Sequence, residues 1–329
     1  MSTRISYAQG ILDGFRYLLS NHKDVFAIGQ GLCSPWYVGA SMKDLDKDFG
    51  KHRVIDTPVS ELATTGVAIG ASLNGYRPIV IHPRMDFMIL AADQIVNQAA
   101  KWRHMLGGKS PSVVIRAIVN RGGEQGAQHS QALHSWYAHI PGLRVVMPAT
   151  AGDARDLLIA ATLCNDPVLY IDDRWCYEQA EEVAPAGFVD MAKQGPKVLR
   201  DGTDITLVSA SYSTVLAREA ADLLAEKGIS AEVVDLRVLN PLNHSVAAAS
   251  VKKTGRLLAV DGGWATCGLA GEVIAGVAET LPPTAFRARS RRITLPDAPA
   301  PTSKVLEKIY YPTAQQVADF AETMVKDTP

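Results

Sequence analysis

Cysteine is scarce in this 329-residue chain: four occur, at Cys33, Cys164, Cys176 and Cys267. None forms a CxxC pair or joins histidines at zinc-site spacing, so neither a disulfide framework nor a structural zinc centre is indicated. An excess of either charge is missing too. Lys+Arg number 33 against 34 Asp+Glu, for a net charge of −1, which leaves no footprint for nucleic acid or an anionic membrane. No apolar run approaches the ~20 residues of a membrane span, and the opening MSTRISYAQG has no apolar signal core. These absences predict a soluble cytoplasmic protein. The sequence also lacks GxGxxG after its first strand and GxxxxGK[ST] anywhere, so an ordinary Rossmann or P-loop nucleotide site is not expected.

What is present is an alternation of apolar runs with amphipathic stretches, the pattern of parallel α/β architecture. Strands are predicted at 24–29, 78–82, 112–117, 143–147 and 167–171. Helices are predicted at 60–73, where Ser60 can cap, at 86–105, the longest and most apolar, and at 151–163. A second series begins near residue 203, with strands at 205–210, 231–236 and 257–260 and helices at 214–227 and 269–280. The segment 181–202 carries Pro185, Gly187, Gly195 and Pro196 and little periodicity. With 47% hydrophobic residues, the length suits two cores. The expectation is two doubly wound domains, 1–180 and 203–329, joined by a linker at 181–202. Periodicity alone yields no function.

The run from Gly50 to Arg174 carries more. It contains Arg53-Val54-Ile55-Asp56-Thr57-Pro58-Val59-Ser60-Glu61, Asp86-Phe87, and Asp93-Gln94-Ile95-Val96-Asn97-Gln98-Ala99-Ala100-Lys101. These are followed by Gly126-Ala127-Gln128-His129-Ser130-Gln131 and Pro141-Gly142-Leu143-Arg144-Val145-Val146-Met147-Pro148. Further on stand Asp235-Leu236-Arg237, Ser250-Val251-Lys252-Lys253-Thr254-Gly255-Arg256 and Leu306-Glu307-Lys308. In order and spacing the chain resembles, over nearly its whole length, the beta subunits of thiamine diphosphate-dependent first components of 2-oxo acid dehydrogenases, of the pyruvate, branched-chain and acetoin type. These belong to the transketolase-like superfamily. The resemblance implies a pyrimidine-binding domain followed by a transketolase C-terminal-like domain. It also implies an alpha subunit that holds the diphosphate and Mg2+, and the chain has no Gly-Asp-Gly motif followed by Asn of its own. An alpha2beta2 assembly with beta–beta contacts would follow, with the catalytic site shared between alpha and beta.

Particular residues acquire roles by that resemblance. A first-turn glutamate is ordinarily a partner of the helix macrodipole; here Glu61 is implied to hydrogen-bond the cofactor's pyrimidine nitrogen and favour the imino tautomer that deprotonates the thiazolium. Phe87, on its own an ordinary core aromatic, is implied to stack on the pyrimidine ring. His129, in the glycine-rich loop that starts at Arg121, is implied to stabilise or protonate the substrate oxygen. His129, His134 and His139 are spaced by five, which suits neither one helix face nor a zinc pair. His82 and Arg84 end a strand where ligands commonly bind and are candidates to meet an anionic substrate or to serve an interface. Gln94, Asn97 and Gln98 suit a subunit interface. The turn 161–167 matches a potassium-binding segment of relatives. The backbone carbonyls of Val113, Ala161, Thr162 and Cys164 and the Asp166 side chain are its candidate ligands, although relatives usually carry Asp where Cys164 stands.

The chain departs from the family pattern before Phe87 and at Ile118-Val119-Asn120-Arg121, which replaces a Gly-Pro-x-Gly run. Two catalytic fates therefore stay open. One is oxidative decarboxylation of a 2-oxo acid, with a lipoyl acyltransferase as a further partner. The other is two-carbon transfer without lipoamide, as in a split transketolase or acyloin-forming synthase. A non-catalytic scaffold subunit would predict loss of Glu61 or His129, and both are present.

Overall fold

The computed structural model of the protein describes residues 2–326. The chain divides into two compact units. One runs to Arg121 and resumes over Trp136–Gln194. The other takes Gly122–Ser135 together with the chain from Gly195 onward.

The first unit opens with strand β1 (Thr3–Ser6) and helix α1 (Tyr7–Asn21), then β2 (Val25–Gly29), β3 (Val54–Asp56), α2 (Glu61–Leu73) and β4 (Arg77–His82). β5 (Val114–Val119), β6 (Arg144–Val146), α3 (Ala151–Leu163), β7 (Val168–Asp173) and β8 (Ala180–Val183) follow. Six strands lie in the order β6-β7-β5-β4-β2-β3, parallel at every pairing. Strands covered on both faces read as unbroken apolar runs, and every residue of β5 and β7 is buried. β1 pairs antiparallel with β8 as a separate ribbon. α1 packs on α3 so closely that a Cβ at Gly10 would run into the Ala151 carbonyl.

Charge also lies inside this sheet. The guanidinium of Arg116, on β5, is wholly buried and donates to both oxygens of Asp172 on β7, at 3.0 and 2.8 Å, and to Ser41 Oγ and Tyr177 Oη. A desolvated arginine is tolerable only when its donors meet a carboxylate in this forked geometry.

The second unit contains β9 (Lys197–Arg200), β10 (Ile205–Ser209), α4 (Tyr212–Glu226), β11 (Ala231–Asp235), α5 (Ser245–Thr254) and β12 (Leu257–Trp264). After these come α6 (Leu269–Thr280), β13 (Arg291–Leu295), α7 (Lys304–Tyr310) and α8 (Ala314–Lys326). Its sheet runs β13-β12-β10-β11-β9, parallel except for the edge strand β9. Leu207, Val233 and Val260 meet Ala217, Ala221 and Leu224 of α4 and Val317 and Ala321 of α8 in its core. The α/β class with two doubly wound domains is thus observed.

Two expectations gain detail. The stretch 181–202, in which the first unit ends at Gln194 and the second resumes at Gly195, also holds regular structure, ending β8 and forming β9; these are short edge strands that need no apolar alternation to pair. The helix expected over 86–105 is present but changes type along its length: α-helical at Met85–Met88, 3-10 at Ile89–Ala91, π-helical at Gln94–Ala99 and α-helical again at Trp102–Leu106. Asn97 donates to Asp93 at 2.8 Å within it. Among the described residues no helix is long and apolar enough to cross a membrane.

The buried pair yields a stability prediction. Arg116→Met or Asp172→Asn alone strands its partner's charge or donors and should cost about 3–5 kcal/mol. Arg116→Met with Asp172→Leu should cost much less than the sum of the two single changes. Urea unfolding of the three variants measures this.

Candidate active site

In parallel α/β sheets, ligands bind beyond the carboxyl ends of the strands. In the first unit that edge gathers Glu61, His82, Arg84 and Phe87. Glu61 begins α2, shortly after β3 ends. It is buried, 7% exposed, and among the described residues no group hydrogen-bonds its carboxyl. Ser60 occupies the position before the helix but makes no side-chain cap; its carbonyl accepts from Thr64 N at 2.9 Å.

One turn along the same face stands Thr65. Its hydroxyl meets Nε2 of His82, the last residue of β4, at 3.1 Å, with both side chains buried. Burial pushes the His82 imidazole down to about 4. His82 is therefore neutral near pH 7 and committed to Thr65, so it offers no charge to an anionic substrate.

Arg84 is half-buried and donates to the Pro83 carbonyl at 3.0 Å. Burial lowers its pKa, and the Arg174 guanidinium nearby lowers it further. Arg174 follows β7, and donates to the carbonyls of Pro35, Trp36 and Tyr37. The Asp86 carboxylate acts on Arg84 in the opposite sense and raises its pKa. Phe87, half-buried, lies in the helical turn after Arg84, and its amide donates to the Arg84 carbonyl at 3.2 Å. The unusual run 118–121 has a local use. Asn120 Nδ2 reaches the Pro83 carbonyl at 3.2 Å, and Arg121 pairs with Asp173 at 2.6 Å. These contacts tie the loops after β4, β5 and β7 together.

His129 belongs to the second unit. Its loop uses left-handed backbone at Gly122, Gly123, Glu124 and Gly126. At Gly126 a Cβ would also meet Thr302 Oγ1 at 2.7 Å, so both conformation and space call for glycine there. Three further contacts fasten the loop within its unit. Glu124 N donates to Glu307 Oε1 at 2.8 Å, Leu269 N donates to Ser135 Oγ at 3.0 Å, and His134 Nε2 meets Asp261 Oδ1 at 2.9 Å. Burial opposes ionisation of Asp261, but His134 and the amides of Gly263 and Ala270 hold its carboxyl below the usual carboxylate range. The histidine spacing that meant nothing as a metal pattern thus separates an anchor, His134, from the half-buried His129. Nothing in the sequence pointed to Asp261 or Glu307 as partners of this loop, because each lies far along the chain.

The expected potassium ligands do not form an open cage. Arg77, at the start of β4, places its guanidinium on the carbonyls of Thr162 and Cys164, and Asp166 is paired with Arg144. The donor set does not fit an added monovalent cation. Among the described residues no group of three or more His, Cys, Asp or Glu side chains forms a metal site.

Residues 3–175 match the family model of the transketolase pyrimidine-binding domain, and residues 196–317 that of the transketolase C-terminal domain. The chain is 38% identical to subunit beta of the acetoin:2,6-dichlorophenolindophenol oxidoreductase of Cupriavidus necator, over 99% of both chains. It is 34% identical to the mitochondrial pyruvate dehydrogenase E1 component subunit beta of Homo sapiens, covering 95% of this chain and 89% of that one. The chain belongs to the transketolase-like beta-subunit family. The beta subunit also shares its fold with a solved structure of a split-gene transketolase in an inactive beta4 tetramer, at a TM-score of 0.79 and 22% identity over 99% of each chain. Both domains expected from the sequence are matched by these family models, and the family is that of thiamine diphosphate-dependent dehydrogenase beta subunits.

His82 supplies a pH test. Its folded pKa lies below the unfolded value of ~6.5, so the unfolded chain binds more protons between about 4 and ~6.5. The stability that neutral His82 contributes should be complete above that window and decline as pH falls through it. In chemical unfolding from pH 7 to 4, His82→Gln should lose stability less steeply than the wild type.

Proposed function

We propose that this beta subunit binds the aminopyrimidine half of thiamine diphosphate and, with an alpha subunit that holds the diphosphate and Mg2+, decarboxylates a 2-oxo acid. When bound, the cofactor supplies a nucleophilic carbon and an electron sink for the bond broken as CO2 leaves. The remaining work belongs to side chains.

Glu61 carries the reading. Its side chain is 7% exposed, and among the described residues no group hydrogen-bonds its carboxyl, which leaves that carboxyl available to an incoming donor or acceptor. A pyrimidine ring nitrogen is a fitting complement, since a carboxyl can share its proton there and shift the tautomer. Phe87 offers an aromatic face at the same sheet edge, and stacking would be worth about 1 kcal/mol beyond burial. His129 would hold or deliver a proton at the substrate oxygen. Arg84 is the candidate for the substrate carboxylate, with Arg174 as its charged neighbour. The exposed apolar side chains Val59, Leu62, Val67 and Leu90 around α2 support burial against partner subunits.

The test is co-expression with the adjacent alpha-type subunit. CO2 release would be assayed over a panel of 2-oxo acids, with and without aldehyde acceptors. Glu61→Gln should lower turnover by about 10²–10⁴-fold, the scale of a lost acid–base group, while assembly and unfolding midpoint stay unchanged. Near-normal turnover by that variant would defeat the assignment, and no release from any 2-oxo acid would defeat the decarboxylase reading.

A further inference from the structure

Helix α3 ends at Leu163 with no basic residue in its last turn. Its final carbonyls form the negative end of the helix dipole and attract a cation. The cation present is contributed from 85 residues earlier. Arg77 Nη1 donates to the Thr162 carbonyl at 3.0 Å and to the Cys164 carbonyl at 2.7 Å, and Nη2 donates to Asn165 Oδ1 at 3.0 Å. Nε of the same group lies 3.5 Å from Asp24 Oδ2. The other three candidate ligands are engaged as well. The Val113 carbonyl accepts from Val168 N at 2.9 Å, the Ala161 carbonyl accepts from Cys164 Sγ at 3.2 Å, and Asp166 accepts from Arg144 at 2.8 Å with Arg103 at 3.7 Å.

We infer that Arg77 is a covalently tethered replacement for a structural monovalent cation, and that this beta subunit has no use for potassium at the α3–β7 turn. A guanidinium carries the same single charge as K+ and distributes it over donors in a rigid fork. It satisfies the two carbonyls and the Asn165 amide oxygen at once. A second cation on the same carbonyls would lie against a fixed like charge. The Cys164 side chain is consistent with this arrangement: with an arginine present, the position needs no additional carboxylate. The role is a positioning one, since Arg77 holds the turn that delivers β7 into the sheet. It does not depend on the proposed reaction.

The experiment is thermal unfolding of the full chain, alone and with its alpha partner, at matched ionic strength in KCl, NaCl or choline chloride. Wild type should unfold at the same temperature in all three salts. Arg77→Met keeps much of the stem but removes the charge. It should lose about 3–5 °C in choline chloride and recover at least half of that in KCl. Arg77→Lys retains the charge and should show no potassium response. Specific stabilisation of the wild type by KCl over choline chloride would overturn the inference. So would an Arg77→Met chain indifferent to all three salts. If Arg77→Met does not fold, the wild type and Arg77→Lys still decide, because a potassium response in either is incompatible with a site already filled.

Discussion

The His82–Thr65 hydrogen bond fixes the start of α2 against the end of β4, and the candidate chemistry of the first unit depends on it. Glu61 lies one helical turn before Thr65, so whatever holds Thr65 in place also sets the direction of the carboxyl. A buried imidazole kept neutral suits this task. It bonds across the element junction without demanding a counter-charge that would compete with Glu61.

The surrounding sheet solves a harder electrostatic problem. A parallel sheet covered on both faces has few places for charge, yet Arg116, Asp172, Arg121 and Asp173 are all buried at or near its carboxyl edge. Each charge there is met by an opposite one across neighbouring strands. Arg84 stands in a mixed field: burial and Arg174 lower its pKa, while Asp86 raises it. Arg116 and Arg121 are thereby scaffold, whereas Arg84 is half-buried at the end of the sheet where a ligand could reach it.

Much of this was legible in the sequence, for physical reasons. Buried parallel strands are continuous apolar runs, so 78–82, 167–171 and 205–210 fell close to β4, β7 and β10. The family motifs added the domain order and singled out Glu61, Phe87 and His129. What was illegible depended on long-range partners. His82 was singled out for its place at a strand end; periodicity could not show that its Nε2 meets Thr65. Arg77 was not singled out at all, since its acceptors lie 85 and 87 residues away. The 86–105 helix was apolar enough to predict but not to locate its π-helical stretch, because widening a turn leaves composition unchanged. The edge strands β8 and β9 lacked the alternation that marks a half-buried strand.

The segment Gly122–Ser135 is encoded inside the first unit and yet packs with the second, anchored at Asp261, Leu269 and Glu307. The modular border of this protein is therefore not a single cut in the chain. An evolutionary or engineered exchange of the C-terminal module between relatives would have to bring this fourteen-residue segment along, or leave an incoming module facing a loop shaped for another host. Recombination at the linear boundary near residue 195 separates His129 from the groups that hold its loop.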